Sequence, residues 1–129
     1  MAHTTRAALA LAAVTTLVIA GAPAAQAKDG DVERRGNCAR TTDWKVKVGP
    51  EDGRLEVEGE VDSNRRGQTW RWSLWHNGSK SASGTRITRG PSGSFEVRRL
   101  MVNRRGTDTI TFRARNPRSG ETCRGTVRF

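Results

Sequence analysis

Leu55-Glu56-Val57-Glu58-Gly59-Glu60-Val61 places an apolar or small residue at every second position, with a glutamate at each position between. Successive side chains of a strand point to opposite faces. This heptamer therefore buries one face and wets the other, as in an antiparallel sheet with one solvated side.

Working outward, the same two-residue period recurs and glycine-rich turns interrupt it. Upstream, Gly49-Pro50-Glu51-Asp52-Gly53 turns the chain back to a first strand, Thr42 to Val48, with Trp44, Val46 and Val48 in one phase. Downstream, Ser63-Asn64-Arg65-Arg66-Gly67-Gln68 leads into a third strand that has Trp70, Trp72 and Leu74 in one phase and Trp75 in the other. Asn77-Gly78 is a strong hairpin signal. A weak fourth strand near Ser83 to Thr88 ends at Gly90-Pro91-Ser92-Gly93. The fifth begins with Phe95 and Val97 but continues with Leu100 and Val102, a slip of phase that predicts a β-bulge near Arg98-Arg99. Asn103-Arg104-Arg105-Gly106 precedes the sixth, with Ile110, Phe112 and Ala114 inward. Asn116-Pro117-Arg118-Ser119-Gly120 turns into the seventh, with Cys123, Gly125 and Val127 in phase.

About seven short antiparallel strands spaced near ten residues apart, with no amphipathic helix, predict an all-β two-sheet sandwich of the immunoglobulin or fibronectin type III kind. The chain has no tyrosine, so the tyrosine corner of those folds is missing, and a small Greek-key barrel is the alternative. The sandwich spans residues 42–129. Residues 28–41 are charged and without period, which predicts a loose arm anchored at Cys38.

Residues 1–27 hold the parts of a secretory signal peptide in order: Arg6 beside the free amine, an uncharged run from Ala7 to Ala22, and Ala25-Gln26-Ala27 before Lys28. The run is rich in alanine and threonine and shorter than the about 20 apolar residues of a membrane span, so cleavage after Ala27 and a secreted, extracellular product are expected. In an oxidising compartment Cys38 and Cys123, near opposite ends of a small domain, most simply pair with each other. Closing so long a loop removes chain entropy worth roughly 4 kcal/mol.

The stretch from Trp70 to Gly125 includes His76-Asn77-Gly78, Ser92-Gly93-Ser94-Phe95, Asn103-Arg104-Arg105-Gly106-Thr107-Asp108 and Gly120-Glu121-Thr122-Cys123. It resembles small secreted proteins of actinobacteria. The resemblance implies export and a sandwich fold, and brings no active site with it.

The whole chain carries 23 Lys plus Arg against 13 Asp plus Glu, nearly all of the positive charge being arginine. A guanidinium fork suits bidentate contact with phosphate, sulfate or carboxylate. Catalysis would need a nucleophile with a base, a carboxylate pair or a metal cluster. Past the leader only His76 remains as a histidine, and it has no metal-ligand spacing. Glu56, Glu58 and Glu60 share a strand face, which fits a solvated surface complementing nearby arginines better than an acid–base pair. No cofactor, metal or catalytic residue is expected.

Binding is the better expectation. In an up-and-down sandwich the turns carrying Arg65, Arg66, Arg89 and Arg118 fall at one end, a basic tip that would attract an anionic cell-wall polymer, an acidic polysaccharide or nucleic acid. Trp75, out of phase with its neighbours, is a candidate to stack on a sugar or base unless a loop or the arm covers it. The expected function is thus a secreted, monomeric, non-catalytic binding module. The alternatives are a protein-interaction module, including an inhibitor of a secreted protease, and, less in keeping with the residues, a hydrolase.

Overall fold

The computed structural model describes residues 30–129; the expected signal peptide lies outside the described residues. Eight strands form two antiparallel sheets. In chain order they are β1 Val32–Asn37, β2 Asp43–Glu51, β3 Arg54–Asp62, β4 Thr69–His76, β5 Ser79–Ile87, β6 Ser94–Val102, β7 Thr109–Arg115 and β8 Thr122–Arg128. One sheet has the order β1-β2-β3-β6 and the other β5-β4-β7-β8. The domain is an all-β sandwich.

The two sheets enclose the inward phase of each strand. Val46, Val48, Leu55, Val57, Val61, Trp70, Leu74, Val97, Ile110 and Phe112 are fully buried, so the alternation seen in Leu55–Val61 marks a real inward face. Gly59 keeps the inward place of a strand without a side chain because the Phe112 ring occupies that space; a Cβ there would stand 2.6 Å from its Cδ2. The Asn77-Gly78 hairpin forms as expected, with both residues at positive φ.

Three expectations need correction. The segment taken as a loose arm holds β1, which pairs residue for residue with β2 from Val32↔Val48 to Asn37↔Asp43. It lacks apolar period because Gly36 stands empty-handed opposite Trp44, whose indole fills the space. The fourth expected strand is longer than Ser83 to Thr88, since β5 starts at Ser79, directly after the turn. No bulge occurs at Arg98-Arg99, because β3 and β6 pair in continuous register from Arg54↔Val102 to Asp62↔Ser94. Met101 takes the inward place, leaving Leu100 and Val102 outside at 53% and 64% exposure. Arg99 holds the inward phase by extending its guanidinium 5.0 Å over the Trp72 ring. The register shift in the fold lies instead in the β4–β5 hairpin, between Leu74 and Trp75.

Cys38 and Cys123 form the expected disulfide. It joins the end of β1, an edge of one sheet, to β8, an edge of the other, and Ala39 N donates to Thr122 O alongside it (2.9 Å). That side of the sandwich is a stapled seam.

Candidate functional site

The strand order puts the expected basic turns together. Ser63 N donates to Gly93 O (3.1 Å), Gly67 N to Thr88 O (2.8 Å) and Thr88 Oγ1 to Arg65 O (2.5 Å), which ties the β3–β4 loop to the β5–β6 loop. Arg65 and Arg118 line one groove of about 560 Å³, together with Gln68, Thr69 and Asn116. Asn116 Oδ1 accepts from Arg118 N (3.0 Å) and Ser119 N (3.2 Å) and so shapes that rim. Arg66 turns aside and packs on Gly90, where a Cβ would stand 2.6 Å from its guanidinium carbon. Arg89 is held by a backbone bridge to Ser94 and lines neither that groove nor the one on the sheet face described below. Two of the four expected arginines thus share a surface.

Asp43 and Asp62 lie opposite each other at this end of β2 and β3, with Asp62 Oδ1 accepting from Asn64 N (3.0 Å), and a third carboxylate is turned inward. Glu121, buried, accepts from Arg40 N (2.8 Å), Thr42 N (3.3 Å) and Thr42 Oγ1 (2.6 Å), closing the β1–β2 loop. Its oxygens are engaged with backbone and hydroxyl donors, which leaves the exposed arginines without that partner. Glu121→Ala strands those donors in the interior and is expected to destabilise the domain by about 3 kcal/mol. Urea unfolding measures it; a loss well under 1 kcal/mol would mean that water replaces the carboxylate.

A larger basic surface lies around Trp75 on the outer face of the β5-β4-β7-β8 sheet. The four strands of this sheet carry seven basic residues and no Asp or Glu. The strands of the other sheet carry seven basic and eight acidic residues. There the charges pair: Lys45 with Glu60 (3.2 Å), Lys47 with Asp31 (3.1 Å) and Arg98 with Glu58 (2.7 Å). The hydrogen bond to Asp31, and then its charge, hold the Lys47 ammonium above its ordinary pKa. Glu56, Glu58 and Glu60 belong to this paired face, with Arg98 reaching both Glu58 and Glu56.

On the basic sheet the register sets like charges side by side. Arg71 of β4 lies opposite Arg115 of β7, and Arg113 of β7 lies opposite Arg124 of β8. All four are exposed, and with Lys80 they line a shallow groove of about 620 Å³. Ser73, Ser83, Thr85 and Thr122 line it too, adding hydroxyl donors. Thr69, two residues before Arg71 on the same face, lines the Arg65–Arg118 groove, so the loop groove begins at the end of the strand that bears Arg71.

Trp75 is half-buried on this face. Arg113 lies 4.7 Å and Lys80 5.4 Å from its ring, and its Nε1 donates to Ser73 Oγ (2.9 Å). The two cations flank the ring. His76, on the opposite phase, is buried with its Nε2 2.5 Å from Asp108 Oδ1, an interior pair that ties β4 to the entry of β7. Among the described residues no group of His, Cys, Asp and Glu is placed to hold a metal, and no helix is long and apolar enough to cross a membrane.

Fold and surface together define a class: a small disulfide-stapled β-sandwich with one charge-paired face and one uncompensated arginine face. Comparison with protein-family models, curated proteins and solved structures finds no match to this chain.

Proposed function

We propose that the chain is an exported, non-catalytic binding module that holds an extended anionic polymer along the outer face of the β5-β4-β7-β8 sheet and over the basic loop end. One observation carries the reading: a sheet whose strands hold seven basic and no acidic residues, with Arg opposite Arg in two places. Like charges directly opposite destabilise a sheet, and an external polyanion relieves the repulsion that no carboxylate of this face relieves. From Trp75 to Thr69 the basic track runs six residues, roughly 20 Å of extended strand, before it reaches the loops. Its length favours a polymer over a small ion. Export is supported by the leader pattern at residues 1–27 and by the disulfide. The strand order supports an immunoglobulin-like sandwich, with β2, β3 and β6 in the places of strands A, B and E, and β4, β7 and β8 in those of C, F and G.

Retention on immobilised polyanions across a salt series tests the proposal. The chain is expected to be retained at physiological salt and released steeply as salt rises. Serine at Arg71, Arg113, Arg115 and Arg124 is expected to abolish retention, and serine at Arg65, Arg66, Arg89 and Arg118 to weaken it less, since two of those four share the track. Wild-type protein that passes through at physiological salt would end the proposal. A protein partner is the second reading, favoured by Leu100 and Val102, exposed together on the edge strand β6.

A further inference from the structure

Resting on that reading, we infer that the polymer is a poly(polyol phosphate), a linear chain with a phosphodiester in every short repeat and no stacking base. The cations of the face stand in rows across the strands. Arg71 and Arg115 form the row nearest the loops, and Arg113 and Arg124 form the next. The rows are two residues apart along the strands, about 6.7 Å. A ligand that fills both must repeat its charge at about that interval along its length. A phosphodiester in every short polyol unit does so, whereas a single carboxylate per disaccharide is spaced too widely for successive rows.

Each row also carries two arginines on neighbouring strands, whose backbones run about 5 Å apart. A phosphodiester has two non-bridging oxygens, which a planar fork can meet bidentately where an ammonium would act as a point charge. The hydroxyls of Ser73 and Thr122 border these rows and can donate to the same oxygens.

Trp75 separates this ligand from single-stranded nucleic acid. Sequence-tolerant single-strand binders rely on free aromatic faces for successive bases. Here the ring already carries Arg113 and Lys80, and Trp70 and Trp72 lie in the buried phase of the same strand. A base finds no open platform. Trp75 acts as a positioning residue that keeps Arg113 and Lys80 laid across the groove.

Calorimetric titration of the disulfide-intact protein tests this with three probes of matched charge: poly(glycerol phosphate), oligodeoxythymidylate and hyaluronate, which bears a single carboxylate per disaccharide. The first is expected to bind about tenfold more tightly than either other probe. Arg113→Lys with Arg124→Lys keeps the charge and loses the forks. This variant is expected to weaken poly(glycerol phosphate) by about tenfold and hyaluronate by less, with an unaltered melting temperature. Equal affinity for the three probes, tightest binding of oligodeoxythymidylate, or lysine variants indistinguishable from wild type would overturn the inference and leave the polyanion reading standing. No binding of any probe at physiological salt would overturn both.

Discussion

Serine at both Cys38 and Cys123 is expected to lower the stability of the domain by about 4 kcal/mol, because the disulfide closes a loop of 85 residues and so removes much of the unfolded chain's freedom. A domain of this size has a total stability of about 5–15 kcal/mol, so the fall consumes a large part of it and moves the melting temperature down by about 20 °C. The loss should also be localised. β1 is an edge strand that pairs only with β2, and the disulfide at its end fastens it to β8. Amide exchange along Val32–Asn37 should therefore accelerate before exchange in β3 or β4 does. A drop below 1 kcal/mol, with β1 amides still protected, would show that packing alone holds the seam. Mass spectrometry before and after reduction checks the bond itself, through the two hydrogens that reduction adds.

The disulfide and the inward phases of β2, β3, β4, β7 and β8 were legible because each has a local signal: a strict period of two, a turn dipeptide, or two cysteines in an exported domain. β1 was not legible. Val32, Gly36 and the charged residues between them show no apolar period, since the strand offers the core only Val32 at one end and, at Gly36, a vacancy that Trp44 fills. The fifth expected strand failed for a related reason. Phe95, Val97, Leu100 and Val102 suggested a bulge, yet Arg99 can hold an inward place at the sandwich's open side by laying its guanidinium over Trp72, and Met101 then completes the phase.

The candidate site was half legible. Sorting the turns by end correctly gathered Arg65 and Arg118, which share a groove. The larger basic face was hidden because its signal belongs to a sheet and to no single segment. β4, β5, β7 and β8 each look ordinary, with one or two basic residues apiece. Only the strand order shows that the four acid-free strands are neighbours and that the acidic strands, β2 and β3 above all, lie in the other sheet. The alternation of Glu56, Glu58 and Glu60 had pointed to the partner of the arginines in general. The structure pairs those glutamates with Lys45 and Arg98 of their own sheet.

Gly125→Val is expected to be the most damaging single substitution at the seam. The Trp44 ring lies flat against β8 there, and a Cβ on Gly125 would stand 2.2 Å from its Cζ3 and 2.4 Å from its Cε3. The ring cannot retreat, because a Cβ position on Gly36 lies 2.5 Å from its Cζ2 on the β1 side. Two glycines on two edge strands thus form one slot, and the indole plugs it, with Nε1 donating to Asn37 O (3.2 Å). Overpacking of a filled interior costs about 1–3 kcal/mol, and expelling a packed tryptophan adds to that, so a loss of about 3 kcal/mol or more is expected in urea unfolding. The cause can be isolated with a double-mutant cycle. Trp44→Ala should destabilise wild type, but in the Gly125→Val background it should cost little or restore stability, because the new methyls then enter the space the ring has left. Additive losses would mean that valine acts on the β8 backbone and that the slot is not the cause. The consequence reaches the binding face through sequence adjacency: Gly125 follows Arg124, whose row with Arg113 depends on β8 keeping its register with β7. Gly125→Val protein that remains folded should therefore hold polyanion less tightly than wild type although its charge is unchanged. Retention equal to wild type would show that the arginine rows do not depend on the seam.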